Sequence, residues 1–446
     1  MDQIMSIPYS NIFSICPKNW EIAPLQEHLF FQEGPGILAK DFRDSGVSLL
    51  RLAGVGDKFA TLDGCNFLDP EMVDKKWPHF RLDAGDIVTS ASASFGRTSI
   101  VGKATEGAIS YTGIIRFRPR TNKIVPGFIE LFLRSPFFEN QARSFAVGGV
   151  IQHFGPTHLK QMAIALPPIE EQMAISSIIG AFDDKIELNR RMHATLKATA
   201  QALFKSWFVD FDPVRAKMEG RAPEGMDEAT AALFPDGLEE SESDLGRVPR
   251  GWKVQSLDEI AEFLNGLALQ KFPATDPAGS LPVIKIAELR NGISAKSDRA
   301  SRDVPEKYII EDGDFLFSWS GSLLAKFWTE GEGALNQHLF KVTSERYPMW
   351  FVSHWVHHHL EEFQSIAASK ATTMGHIQRS HLKSAMAICP MDDALKKFDT
   401  VMAPFIDASI RNEIESRSLA TLRDTLLSKL LRGELRVAQA EKEIFA

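Results

Sequence analysis

Cysteine is scarce. The 446 residues include only Cys16, Cys65 and Cys389, far apart and with no CxxC pair. That argues against a disulfide framework or a cysteine-based zinc site, and it fits a reducing cytoplasm. Long uncharged apolar runs are missing, so no membrane span is expected. Met1 to Ser14 has no basic start and a broken apolar run, unlike a signal peptide. A GxxxxGK[ST] loop is absent, which argues against ATP-driven translocation. A methyltransferase needs an S-adenosylmethionine loop and an Asn/Asp-Pro-Pro-aromatic motif, and neither is found. Asp69-Pro70-Glu71 lacks the second proline and the aromatic. A nuclease needs acids and a lysine clustered around a metal. Asp69, Glu71, Asp74 and Lys76 come nearest, but they read as a solvated turn. His354, His357, His358 and His359 invite a zinc reading, with Glu361 four residues after His357. No Cys or further His lies at metal-finger spacing, so an exposed or phosphate-facing helix fits them better. No cofactor is expected.

What is present is an ordinary globular composition, 44% hydrophobic and 24% charged, enough for two to four domains. The net charge of −8 is unevenly placed. Between Phe211 and Gly246, ten acids stand against three bases, making that segment −7 and leaving −1 elsewhere. A nearly neutral body can still carry local basic faces.

The chain repeats itself. His158-Leu159-Lys160 recurs as His381-Leu382-Lys383, a shift of 223, half the length. At the same shift Pro167 meets Pro390, Phe182 meets Phe405, Asp184 meets Asp407, Asn189 meets Asn412 and Leu203 meets Leu426. With small gaps, Ala84-Gly-Asp-Ile87 answers Asp312-Gly-Asp-Phe315, and Trp20 answers Trp252. A colinear series this long implies duplication.

Each half opens with short β-branched and aromatic runs cut by Gly, Pro and Asp, with helical stretches at Gly127 to Phe145 and Met349 to Ala367. The fold class is α+β. Each half closes on a long helix. From Ile169 to Phe208 the steps between Ile175, Ile179, Phe182, Ile186, Leu196, Ala200, Leu203 and Trp207 form a heptad-like seam, with Asn189 and His193 in its gaps. Met391 to Leu435 offers Met402, Phe405, Ile406, Ile410, Leu419, Leu422, Leu426 and Leu430. Two such helices are expected to pair antiparallel; packing of each on its own domain is the simpler alternative. The divisions are 1–166, helix 167–210, connector 211–248, 249–389, then helix and tail 390–446. The acidic connector reads as mobile or loosely packed.

Two motifs bring a family to mind. Leu166-Pro-Pro-Ile-Glu-Glu-Gln172 opens the first long helix, and Leu245-Gly-Arg-Val-Pro-Arg-Gly-Trp252 opens the second domain. Together they resemble the specificity subunits of type I restriction–modification enzymes, over nearly the whole chain. The halves depart from the pattern in complementary places, at Cys389-Pro-Met-Asp-Asp and Pro17-Lys-Asn-Trp20. The resemblance implies two target-recognition domains spaced by an antiparallel coiled coil with an internal two-fold repeat. It implies a non-catalytic subunit that reads a split site in double-stranded DNA. Two modification subunits with adenine methyltransferase chemistry would dock on the helices, and restriction (translocase) subunits would join. The alternatives are an assembly scaffold without selectivity, or a nuclease or methyltransferase with an unfamiliar motif.

DNA readout needs side chains at base edges and others pinning phosphates. The loops after the Gly-Asp turns align Ser90, Ser92 and Ser94 with Ser318, Ser320 and Ser322. Arg97 and Lys326 follow, and Ala91 faces Trp319 in the alignment. A Ser-rich strand edge explains the same residues without DNA. A second candidate is the turn before His-Leu-Lys, with Gln152 and His153 in one half and His376, Gln378 and Arg379 in the other. These also read as capped surface-loop residues. Asn336, Gln337 and His338 match the family's Asn-Gln-His triplet, where the first half has Ser110-Tyr111-Thr112. They are readers, or they satisfy buried backbone groups.

Overall fold

A computed structural model describes residues 13–56, 58–91, 97–145, 154–241, 245–276, 279–369, 375–437 and 439–440. The chain forms two compact units: 1–187 with 418–446, and 188–417. Both carry the same strand plan. In the first unit β1 (Leu29–Glu33), β2 (Ile87–Ser90), β3 (Thr98–Ile100) and β4 (Ile114–Pro119) form an antiparallel sheet of order β1-β4-β2-β3. In the second, β5 (Glu262–Asn265), β6 (Phe315–Ser318), β7 (Ala325–Phe327) and β8 (Leu339–Thr343) take the order β5-β8-β6-β7. Even the register repeats. Ser90 pairs with Ile114 as Ser318 pairs with Leu339, and Glu33 with Ile115 as Asn265 with Phe340. A second sheet in each unit contains one parallel pair, Val47–Leu50 on Ile109–Ser110 and Leu281–Ile284 on Gly333–Leu335.

Local chemistry explains the repeated elements. β2 (Ile-Val-Thr-Ser) and β6 (Phe-Leu-Phe-Ser) are central strands buried at every position, so neither alternates apolar with polar residues. Each follows a glycine with positive φ, Gly85 at 92° and Gly313 at 96°. The next aspartate closes the turn: Asp86 accepts the Asp83 amide at 2.8 Å, and Asp314 the Glu311 amide at 2.8 Å. The His-Leu-Lys repeat has an equally plain cause. The histidine Nδ1 accepts the amide three residues before it, Gly155 to His158 at 3.1 Å and Gln378 to His381 at 2.9 Å, capping a short helix.

Several expectations change in detail. The stretch 127–145 is two helices, Pro126–Leu133 and Pro136–Ser144, because Ser135 caps the second with Pro136 at its first turn. The stretch 349–367 likewise divides into Met349–His358 and Leu360–Ser369. Asp69 to Lys76 is a capped helix rather than a turn, with Asp69 Oδ1 accepting the Met72 amide at 3.0 Å. The acidic connector is not loosely packed. It forms helix Asp212–Met218 and the hairpin Leu238–Glu240 with Arg247–Pro249. Phe211, Val214, Phe234 and Val248 are buried with Trp207, Trp252 and Phe398 in one aromatic core. Among the described residues its acids are exposed while its sparse apolar residues bury, a split that net composition hides.

The long helices are α1 (Ile169–Phe204), extended by a π-turn at Lys205–Val209, and α2 (Asp392–Arg432). In each unit their segments run antiparallel. Asp183 meets Arg423 at 2.7 Å and Glu171 meets Arg436 at 3.5 Å in the first unit. Asn189 meets Glu415 at 2.7 Å and His193 meets Ser409 at 2.7 Å in the second. Most of the apolar seam also packs into its own unit's core, with Ile175, Ile179, Leu426 and Leu430 buried in one and Ala200, Trp207 and Met402 in the other. Leu422, expected in the seam, is 45% exposed.

The Pro-Pro-x-Glu-Glu-Gln run has a structural task. Gln172 is fully buried. Its Oε1 accepts the Val125 amide at 3.1 Å, and its Nε2 donates to the Lys123 and Pro167 carbonyls, each at 2.8 Å. Glu171 accepts the Trp20 indole N–H at 3.2 Å. The equivalent positions in the second unit are Ala394 and Leu395. There the Trp252 indole N–H is buried without a partner among the described residues. Among the described residues, no helix is long and apolar enough to cross a membrane.

Candidate nucleic-acid interface

In the second unit, three loops that are distant in sequence converge at one end of the β5-β8-β6-β7 sheet. Trp319, at the end of β6, donates its indole N–H to Asn265 Oδ1 at 2.8 Å and to the Gln337 carbonyl at 3.2 Å. Its ring lies 5.8 Å from His338 and 6.3 Å from His376. Ser320 Oγ stands 3.0 Å from His338 Nδ1, and its backbone bridges to His376. Gln337 Nε2 is 3.4 Å from His338 Nε2. Gln378 and Arg379 are exposed beside this cluster, with Arg379 donating to the Phe263 carbonyl at 3.0 Å and lying over Phe340. Indole, imidazole and amide groups in one patch offer both donors and acceptors for base edges, and flat faces for contact with a base or methyl group.

Not every candidate lies on that surface. Ser318 is completely buried, and its hydroxyl bonds the Ser322 carbonyl at 3.0 Å and the Leu324 amide at 2.8 Å. It holds the loop from inside. Ser90 is buried at the equivalent place. Asn336 is 5% exposed, and its Oδ1 accepts the His338 amide at 3.3 Å, so it too holds the loop from inside. Ser322 is exposed at the turn. Lys326 is not part of the cluster. It lines a cavity of about 240 Å³ with His193, Lys197, His354, His357 and Glu413. Arg97 Nη2 bonds the Leu52 and Val55 carbonyls at 3.1 and 2.5 Å, bracing the 52–56 loop. Ser92, Ser94, Gln152 and His153 lie outside the described residues.

The histidine-rich helix buries His354 and half-buries His357, while His358 is exposed. His354 Nδ1 faces the Trp350 carbonyl at 2.6 Å, and its ring stacks on Phe204. Burial pushes its pKa down to about 4. His357 sits between the Ser353 and Ala325 carbonyls at 2.7 and 3.0 Å, and burial lowers its pKa also. These rings tie the helix to its unit.

The first unit has the same frame with other side chains. Ala91 is buried where Trp319 stands, and its amide donates to Gly113 at 2.8 Å as Trp319 does to His338 at 3.3 Å. Glu33, the counterpart of Asn265, accepts the Gly113 amide at 3.0 Å and the Thr112 hydroxyl at 3.3 Å. Arg51 lies 4.1 Å over the Tyr111 ring. Sequence reasoning did not single out Arg51, Glu33 or Asn265. For the last two a signal existed, since each precedes a glycine at the end of an equivalent strand. A Cβ on Gly34 would lie 2.0 Å from the Ser110 carbonyl oxygen, and one on Gly266 2.3 Å from that of Asn336.

Comparison with known proteins agrees with this architecture. The family profile described as the type I restriction modification DNA specificity domain matches twice, over residues 68–198 and 249–423, well over half of the chain. The HindI specificity subunit of Haemophilus influenzae is 26% identical over 399 residues, spanning 79% of this chain and 86% of that one. The MjaIX specificity subunit of Methanocaldococcus jannaschii is 23% identical, spanning 80% and 78%. A crystal structure of the S subunit from M. genitalium covers 92% of this chain and 96% of its own, with a TM-score of 0.53 and 13% identity, which shows the shared fold. The chain therefore belongs to the DNA-specificity subunits of type I restriction–modification systems.

Proposed function

We propose that the chain recognises an asymmetric DNA site in two parts, one per repeat, and holds modification and restriction subunits around it without catalysing either reaction. One observation carries this reading. The two units share strand order and register, yet differ at matching loop positions: Ala91 against Trp319, Tyr111 against Asn336, Thr112 against Gln337, and Gly113 against His338. An identical frame with different side chains reads different bases, so the site is asymmetric. In the second unit the contacts fall to Trp319, Ser322, Gln337, His338, His376, Gln378 and Arg379, with Ser320, 2% exposed, supporting His338 from inside. In the first, Ser92, Ser94, Arg97, Gln152 and His153 remain the candidates. A nearly neutral body makes few phosphate contacts, so basic surface from partners supplies much of the affinity. The adenine methyltransferase subunits dock on α1 and α2.

Mapping adenine methylation across the host genome, with and without this gene, tests the proposal. Loss of methylation at one split motif is the expected result. Unchanged methylation favours a scaffold without selectivity. Nuclease or methyltransferase activity of the purified chain alone, given DNA, S-adenosylmethionine and magnesium, would overturn it.

A further inference from the structure

Glu33 and Asn265 occupy the same place in the two repeats. Each ends the edge strand of its sheet, opposite Ile115 and Phe340, which are equivalent residues of β4 and β8. Each is followed by a glycine pressed against the carbonyl of the loop that holds Ser110 or Asn336. Any side chain there would push the loop away, since contacts of 2.0 and 2.3 Å lie far inside van der Waals distance. The strand end and the reading loop therefore touch at a fixed point in both units. Beside that point, Glu33 directs an oxygen at that loop, and Asn265 directs one at Trp319 in the loop after β6.

What each oxygen holds differs, in step with the neighbouring residue. In the second unit Asn265 Oδ1 takes the Trp319 indole N–H at 2.8 Å, and the ring so fixed lies against His338 and His376. In the first unit Ala91 offers no indole. The longer Glu33 instead reaches the loop directly, taking the Gly113 amide and the Thr112 hydroxyl at one oxygen. Short side chain with a large neighbour, and long side chain with a small one, give the same result: an acceptor anchoring the reading loop.

Resting on the DNA reading above, we propose that Asn265 and Glu33 are positioning residues that set base selectivity, each for its own half of the site. Asn265 acts through the orientation of Trp319, and Glu33 through the backbone at Gly113. Neither needs to touch DNA. Base discrimination depends on hydrogen-bond geometry, which a freely turning indole or a relaxed loop cannot maintain.

The test selects bound sequences from a random duplex pool with the full-length chain assembled with its modification subunits, then reads base preference in each part of the motif. Asn265→Leu is expected to flatten preference about tenfold in one part and leave the other unchanged. Glu33→Leu does the converse. Asn265→Asp and Glu33→Gln keep an acceptor and restore preference, which a general loss of folding would not allow. Trp319→Phe removes the indole N–H but keeps a ring. The double variant of Trp319→Phe with Asn265→Leu is then expected to be no worse than either single variant. Equal changes in both parts, no change in either, or additive losses in the double variant would overturn the assignment. If the parent chain enriches no motif, the DNA reading itself fails and the assignment falls with it.

Discussion

At the scale of single residues, the structure separates polar side chains that build the frame from those that face outward. Gln172 belongs to the frame. It makes three hydrogen bonds to backbone groups at zero exposure. Gln172→Leu keeps the approximate volume but leaves an amide and two carbonyls unsatisfied. The expected loss is about 3 kcal/mol in chemical denaturation; a loss near zero would show that water takes over. His354 belongs to the frame as well. Its folded pKa of about 4 lies below the ordinary value near 6.5. A lowered histidine pKa means the unfolded chain binds the extra proton. Its contribution is complete above about pH 6.5 and is lost as pH falls toward 4, roughly 3 kcal/mol at most. His354→Phe is expected to flatten that part of the pH–stability curve.

At the scale of elements, ion pairs tie each recognition domain to the long helices of its own unit. In the first, Asp183 on α1 accepts from Arg134 at 2.9 Å and from Arg423 on α2 at 2.7 Å. Burial alone would raise the Asp183 pKa, but hydrogen bonds from the two guanidinium groups outweigh it and hold the carboxyl low. In the second unit Asp312, in the turn before β6, bonds Arg417 on α2 at 2.7 Å. Asp183→Leu removes the carboxylate shared by two partly buried arginines, leaving Arg134 with Glu130 and Arg423 with Asp424, and is expected to cost about 2 kcal/mol, read as a lower midpoint in urea. The depressed carboxyl contributes above its unfolded pKa and loses that contribution as pH falls below about 4. Asp183→Leu is therefore less acid-sensitive than the parent chain in that window.

The long helices and the repeat were legible in sequence, because a 223-residue shift and a three–four apolar spacing survive without three-dimensional information. The packed connector was not. Its ten acids dominate its composition, while burial of Phe211, Val214, Phe234 and Val248 depends on aromatic partners far along the chain. The candidate interface was half legible. Trp319 and His376 were named from alignment of the halves and His338 from the family's triplet, and the fold brings them together. The burial of Ser90 and Ser318 was not legible, because alternation cannot show that a central strand is buried on both faces. Asn265 was missed because its role exists only through Trp319, 54 positions away.

At the scale of the whole molecule, the claim is that one duplicated frame reads two different DNA segments. Each unit owns its sheets, its core and its share of both helices. Changes in one reading loop are therefore expected to alter one part of the site. Exchanging Trp319 for alanine should change base preference in a single part by about tenfold, as measured by competition between duplexes differing at one base pair. The most direct measurement is a hydroxyl-radical footprint of the full chain on its selected duplex. Two separate protected stretches of different sequence, with an unread spacer between them, are predicted. One continuous palindromic stretch would contradict the account.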